Sequence, residues 1–198
     1  MEPDQRFEIQ LSHVCNNRCV FCVSGQMTEL RRAGPTALDK VIGELDWAAA
    51  KGITKATIMG GEPTIQRIFW DVMAHAASLG FEQIFLFTNG VRLTKKAFID
   101  RVIDLVPQIT WRISIQGGNE ATHDFTTKKV GSFAKIRAGL AYLTEREQRI
   151  TVNMCVVEQN YRSLPDLARL AQTYPIQQVH LDMVRPRDSG ERTEDYLD

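Results

Sequence analysis

The sequence predicts an α/β fold built on a parallel sheet, and three observations lead there. Apolar runs of strand length alternate strictly with longer stretches of helical period, six of the first and five of the second. Such alternation implies right-handed crossovers and therefore parallel strands. Several strands also alternate in polarity: Ile109, Trp111, Ile113 and Ile115 share one face, while Thr110, Arg112, Ser114 and Gln116 share the other. A strand buried between two helical layers would read as a continuous apolar run. One face is thus made for helices and the other for something polar, which favours a curved partial barrel with a wet interior. An open sheet with one solvated face is the alternative.

The first strand is expected over 7–12, where Glu8, Gln10 and Ser12 oppose Phe7, Ile9 and Leu11. A cysteine-rich loop and a polar stretch, 24–34, follow. The first helix is expected over 35–52. Pro35 and Thr36 open it, Thr36 and Asp39 form a capping-box-like pair, Leu38, Val41, Ile42, Leu45 and Ala48 recur at helical spacing, and Gly52 closes it. A strand over 54–59 leads through Gly60-Gly61-Glu62 into a helix that begins near Pro63 and ends at Gly80. Strand 83–88, helix 94–106, strand 108–115, helix 132–145, strand 149–157, helix 163–174 and strand 177–184 complete the series. In the late strands Thr151 and Asn153 oppose Val152, Met154 and Val156, and His180 and Asp182 oppose Val179, Leu181 and Met183.

The 198 residues, 43% apolar, suffice for one domain with a substantial core. Lys plus Arg equals Asp plus Glu at 24 each, so charge offers no case for nucleic acid or an anionic membrane as partner. The start, Met1-Glu2-Pro3-Asp4, lacks the apolar segment of a signal peptide, and no run approaches the roughly 18 residues of a membrane span. A cytoplasmic protein is expected. Four cysteines, three of them clustered, suit a reducing compartment better than a disulfide framework.

Cys15, Cys19 and Cys22 stand at Cys-x3-Cys-x2-Cys spacing directly after the first strand. Soft thiolates this close can converge on an iron–sulfur cluster or on zinc. Three thiolates leave one iron of a four-iron cluster open; zinc would seek a fourth protein ligand, with His13 nearest. Gly60-Gly61-Glu62-Pro63 ends the second strand. In a parallel sheet both segments face one mouth, where α/β folds bind ligands. The glycines would let a ligand approach the backbone, and Glu62 offers a carboxylate suited to an ammonium group.

The three cysteines with Phe21 just before the last, followed by Gly60-Gly61-Glu62-Pro63, resemble the radical S-adenosylmethionine (radical SAM) superfamily. The likeness runs over about 7–184 and takes in Thr88-Asn89-Gly90, Ile113-Ser114-Ile115, His123-Asp124 and Gly131-Ser132-Phe133. It implies a partial (β/α)6 TIM-like barrel with parallel strands as a core domain over 1–184. Residues 185–198 would then be a polar tail, the start of a sixth helix near Thr193 or of a truncated C-terminal region. The resemblance also implies a [4Fe–4S] cluster on Cys15, Cys19 and Cys22, with SAM on the fourth iron. Gly60, Gly61, Glu62 and Pro63 would steady the SAM amino group, the backbone around Phe21 would meet adenine, Ser114 the carboxylate or ribose, and Asn153 the nucleoside. Such enzymes cleave SAM reductively to a 5′-deoxyadenosyl radical that takes hydrogen from a substrate, here a peptide or small molecule left unspecified. Reduced flavodoxin or ferredoxin is the implied electron donor.

The alternative is a non-catalytic module whose zinc or iron–sulfur site is structural or redox-sensing. Among other residues, Thr88 and Asn89 are placed to meet substrate, and Cys155 is expected to be a small buried hydrophobe on the lumen side. Lys128, Lys129, Arg185 and Arg187 default to solvated surface, and Trp70 and His75 to helix structure.

Overall fold

The computed structural model describes residues 6–183. Its strands are β1 (Arg6–Gln10), β2 (Lys55–Met59), β3 (Gln83–Thr88), β4 (Ile109–Ser114), β5 (Arg149–Val156) and β6 (Ile176–Met183). They form one parallel sheet in the order β1-β2-β3-β4-β5-β6. Seven helices accompany them: α1 (Val23–Glu29), α2 (Leu38–Ala50), α3 (Phe69–Ser78), α4 (Lys96–Leu105), α5 (Glu120–Thr127), α6 (Ser132–Glu145) and α7 (Leu164–Thr173).

Strand order decides between the two architectures left open by the sequence. A doubly wound sheet reverses its order at a switch point. This sheet never reverses, so right-handed crossovers put all crossover helices on one face. On that face Ile9, Ile58, Leu86, Trp111 and Val152 are fully buried against Leu45, Val72, Ile99, Ile136 and Leu140. The opposite face has no crossover helix, yet Thr57, Thr110, Arg112 and Thr151 are buried there as well. The sheet has curled around them. Arg6 of β1 and Arg112 of β4 both reach the Phe85 ring of β3, and Arg112 meets His180 of β6 at 3.4 Å. The described residues form a partial barrel in which, among them, the edge strands β1 and β6 pair on one side only.

Four local expectations change. The polar stretch 24–34 contains α1, whose Thr28 hydroxyl donates to His13 O (2.9 Å) and accepts from Cys15 N (3.2 Å), tying the helix to the cysteine loop. The Thr36–Asp39 capping pair does not form; Ala37 precedes α2 without a side-chain cap. The reason lies upstream, where Ser12 Oγ donates to Gly34 O (2.8 Å) and Ser12 bridges Pro35, keeping the chain extended there. Pro63 opens only a 3-10 turn, Pro63–Ile65, because Gln66 turns extended (ψ 142°) before α3 starts at Phe69. Finally α5, a polar segment without an apolar stripe, was not anticipated. Val184 and the tail 185–198 lie outside the described residues.

Trp70 and His75 are structural as expected: Trp70 packs edge-on to Phe69 and Phe98, and His75 Nε2 lies 2.6 Å from Asp46. No described helix is long and apolar enough to cross a membrane.

Candidate active site

The cysteine loop leaves β1 and is fastened on two sides. Towards β2, Gly61 N donates to Ser12 O (2.6 Å), and Glu62 N and Gln66 Nε2 both donate to Val14 O (3.0 and 2.9 Å). Towards α5, Arg18 N donates to Thr127 O and Val20 N to Thr126 O, each at 3.0 Å. Within the loop, Arg18 Nη1 donates to the carbonyls of Cys15 (2.7 Å) and Asn17 (2.8 Å). Gly61 has a reason that sequence reading assigned to a ligand. A Cβ there would lie 2.4 Å from Val14 O and 2.5 Å from His13 O, so the backbone that comes close is the chain's own.

Between the loop and the strand ends lies a cavity of about 180 Å³. Cys15, Cys19, Phe21 and Cys22 line it from the loop, Gly60 and Gly61 from the end of β2, Ser114 from β4, and Asn153 and Cys155 from β5. Burial pushes the Cys15 thiol up to about 11 and the Cys19 thiol higher still; the neighbouring cysteines push in the same direction. Asn17 N (3.4 Å) and Asn89 Nδ2 (3.8 Å) donate to Cys15 Sγ and pull the other way. Thiols this reluctant to ionise become thiolates when a cation takes the proton's place. Among the described residues no three His, Cys, Asp or Glu side chains converge to hold a single ion. The three thiols stand around one cavity instead, an arrangement suited to a cluster whose irons take one thiolate each. His13, the nearest candidate for a fourth zinc ligand, has its Nδ1 3.0 Å from Ser24 Oγ and is absent from the cavity wall.

The sequence profile of the Radical SAM superfamily matches residues 9–171. This chain belongs to the radical SAM superfamily.

The radical SAM chain is 28% identical over 184 residues to the PqqA peptide cyclase of Methylocella silvestris, a match covering 87% of this chain and 45% of that protein. It is 28% identical over 187 residues to the mycofactocin maturase MftC of Mycolicibacterium smegmatis, covering 91% and 44%. Its fold matches that of Streptococcus suis SuiB bound to S-adenosylmethionine with a TM-score of 0.76 at 18% identity, covering 93% of this chain and 42% of that one. The chain spans about half the length of the curated relatives it matches.

Two of the anticipated site residues of this radical SAM chain, Glu62 and Pro63, stand behind the cavity wall rather than on it. Glu62 is 1% exposed. Its Oε1 accepts from Thr64 N (3.1 Å), Thr64 Oγ1 (2.6 Å) and Thr88 Oγ1 (2.7 Å), and its Oε2 accepts from Asn89 N (2.7 Å). Burial pushes the carboxyl upward against the pull of those four donors. The group clamps the end of β2 to the end of β3. Asp124, part of the family likeness, does comparable work at the start of α6. It accepts from Gly131 N, Ser132 Oγ (2.8 Å) and Phe133 N (2.9 Å), and these bonds hold it below the usual carboxylate range against a burial effect that opposes them.

The cavity also has walls that sequence reading did not assign to the site: Asn17, Met59, Phe87, Thr127 and Gln116, the last placed only on the polar face of its strand. Met59, Phe87 and Gln116 follow from the period-two alternation of their strands, whereas Asn17 and Thr127 arrive through loop packing that no periodicity reports. Thr88 and Asn89 are on the wall, as their position at a strand end suggested. Cys155 is a correction. It faces the lumen but is only half-buried, and burial with Asp182 nearby pushes its thiol up to about 12.

Proposed function

We propose that this chain is the core domain, over residues 1–184, of a cytoplasmic radical SAM enzyme acting on a peptide. The observation that carries the reading is the shared cavity: the three cysteines, Gly60, Gly61, Ser114 and Asn153 all line it. When bound there, a [4Fe–4S] cluster and SAM supply a reductively generated 5′-deoxyadenosyl radical that takes hydrogen from the substrate. Cys15, Cys19 and Cys22 hold the cluster, and the donors on Cys15 Sγ temper the charge of that thiolate. Gly60 and Gly61 present backbone to the SAM amino group, while Glu62 and Pro63 fix that segment from behind. Phe21 offers adenine a flat apolar face, Ser114 offers a hydroxyl to the carboxylate or ribose, and Asn153 serves the nucleoside. Met59 and Phe87 are the apolar walls that keep water from the reacting centre.

A peptide substrate is supported by the names of two relatives, a peptide cyclase and a mycofactocin maturase. Other relatives are an AdoMet-dependent heme synthase of Methanosarcina barkeri and a probable GTP 3′,8-cyclase of Sulfurisphaera tokodaii. Reduced flavodoxin or ferredoxin is the proposed electron donor.

The test is anaerobic reconstitution with iron and sulfide, followed by SAM and reductant. Each of Cys15→Ala, Cys19→Ala and Cys22→Ala is expected to lose the visible absorption of the cluster and all 5′-deoxyadenosine formation, while Cys155→Ala keeps both. Loss of the cluster in Cys155→Ala would overturn the three-ligand assignment. A reconstituted protein that holds a cluster yet binds no SAM would put the non-catalytic module in its place.

A further inference from the structure

A guanidinium is almost never buried without a partner, because its desolvation then goes uncompensated. Arg112 is buried with a single long side-chain contact and no carboxylate among the described residues. It is 8% exposed on the lumen face of β4, two residues below Ser114, which is about 7 Å along the strand. Its guanidinium meets His180 Nε2 at 3.4 Å and lies 5.1 and 5.8 Å from the Phe85 and Phe87 ring centroids. Among the described residues its Nε has no hydrogen-bond partner and no carboxylate pairs with it.

The surroundings repeat the shortage. Thr151, the Cα partner of Arg112 on β5, and Thr57 on the lumen face of β2 each bury a hydroxyl that has no partner among the described residues. Arg6 of β1 sits over the same Phe85 ring at 4.0 Å and adds like charge, which together with burial lowers the Arg112 pKa. Glu8 of β1 and Asp182 of β6 face this space and offset part of that charge, but both are exposed. Since Arg6 belongs to β1 and His180 to β6, Arg112 lies between the two edge strands, which do not pair with each other among the described residues, beside the cavity lined by the cysteines.

We infer that Arg112 is the receptor for a carboxylate of the substrate, seated on the barrel floor between β1 and β6. The planar guanidinium fork matches two carboxylate oxygens, and the Thr151 hydroxyl is free to donate to a remaining lone pair. With Glu8 and Asp182 close by, the floor suits one negative charge better than the two of a phosphate. A carboxylate there lies about 7 Å below the level of Ser114, so a substrate reaching both places carries its acid group several bonds from the reacting carbon. An acidic side chain or a C-terminal carboxylate of a peptide meets that description. The inference rests on the proposed radical SAM site only in treating the adjoining cavity as the place of reaction; the anion site needs neither cluster nor SAM.

The experiment uses the 198-residue protein, with and without reconstituted cluster, titrated with acetate, glutarate and phosphate at constant ionic strength balanced by chloride. The His180 ring resonances and the Tm are read. Carboxylates are expected to shift His180 saturably and raise Tm, as any ligand of the folded state must. Arg112→Gln should weaken acetate binding at least tenfold, and Arg137→Gln, on the outer helical layer, should leave it unchanged. Thr151→Asp tests the same idea without removing the arginine. A carboxylate built beside Arg112 should raise Tm and abolish the acetate response. The inference is overturned if no carboxylate acts beyond chloride, or if Arg112→Gln and Thr151→Asp both respond as the parent does. Phosphate binding tenfold tighter than acetate overturns the carboxylate assignment. A protein that fails to bind a cluster but shows the full acetate response would sink the proposed function and leave the anion site standing.

Discussion

Glu62 at the mouth and Arg112 on the floor are both buried charges, 1% and 8% exposed, and they differ in what answers them. Four donors from Thr64, Thr88 and Asn89 converge on the Glu62 carboxylate. Around Arg112 the described residues supply one long contact with His180 and two aromatic rings, and leave its Nε without a partner. A buried charge that its own chain satisfies belongs to the fold. One left unsatisfied stabilises nothing until something arrives from outside.

The sharpest way to test the contrast is to delete both groups and compare unfolding in denaturant. Glu62→Ala strands four donors in a dry setting and is expected to destabilise the protein by about 3–5 kcal/mol, the range for breaking a buried charged network. A loss below about 1 kcal/mol would mean that the clamp is ornamental.

His123 is an intermediate case. It is fully buried, its Nδ1 accepts from Gln116 N (3.0 Å), and its Nε2 has no partner among the described residues. Burial lowers its pKa from 6.5 to about 4. The folded protein therefore refuses a proton that the unfolded chain accepts, and stability falls as pH drops from about 6.5 to about 4, by about 3 kcal/mol in all. His123→Gln should flatten that part of the stability–pH curve. Parallel curves for parent and variant would show that the ring titrates normally. The smallest effect is expected at Arg112, where Met retains the packing volume and removes the uncompensated charge. Arg112→Met should change stability by less than about 1 kcal/mol, in either direction. A loss as large as that of Glu62→Ala would erase the distinction between the two charges.

The barrel was legible because β4 and β5 alternate so plainly: Trp111, Ile113 and Val152 outward, Arg112, Ser114 and Asn153 inward. That the cysteines, Gly60 and Gly61 share one cavity was legible through their spacing and their place at strand ends, and Phe21 through the family resemblance. α5 was not, since Glu120-Ala121-Thr122-His123-Asp124-Phe125 has no apolar stripe and owes its helix to the Asn119 cap and to packing on α6. The position of Glu62 was hidden for a related reason. Two of its four donors, from Thr88 and Asn89, lie 26 and 27 residues away, and only the pairing of β2 with β3 brings them into reach. The isolation of Arg112 was equally invisible, because a sequence shows which charges exist and not which remain unpaired after folding.

The two-sided fastening of the cysteine loop has a consequence for transplantation. Val14, Arg18 and Val20 are each held by a partner from another segment, and Cys22 N closes a turn onto Cys19 O at 3.0 Å. One residue inserted between Cys15 and Cys19, or one deleted, would pull an anchor out of register with Gly61–Gln66 or with the carbonyls of Thr126 and Thr127. The eight residues from Cys15 to Cys22 are therefore not a portable cassette. Moved alone into another scaffold they would keep their order and lose their shape; the smallest transferable piece comprises the loop, the 61–66 segment and the C-terminal turn of α5.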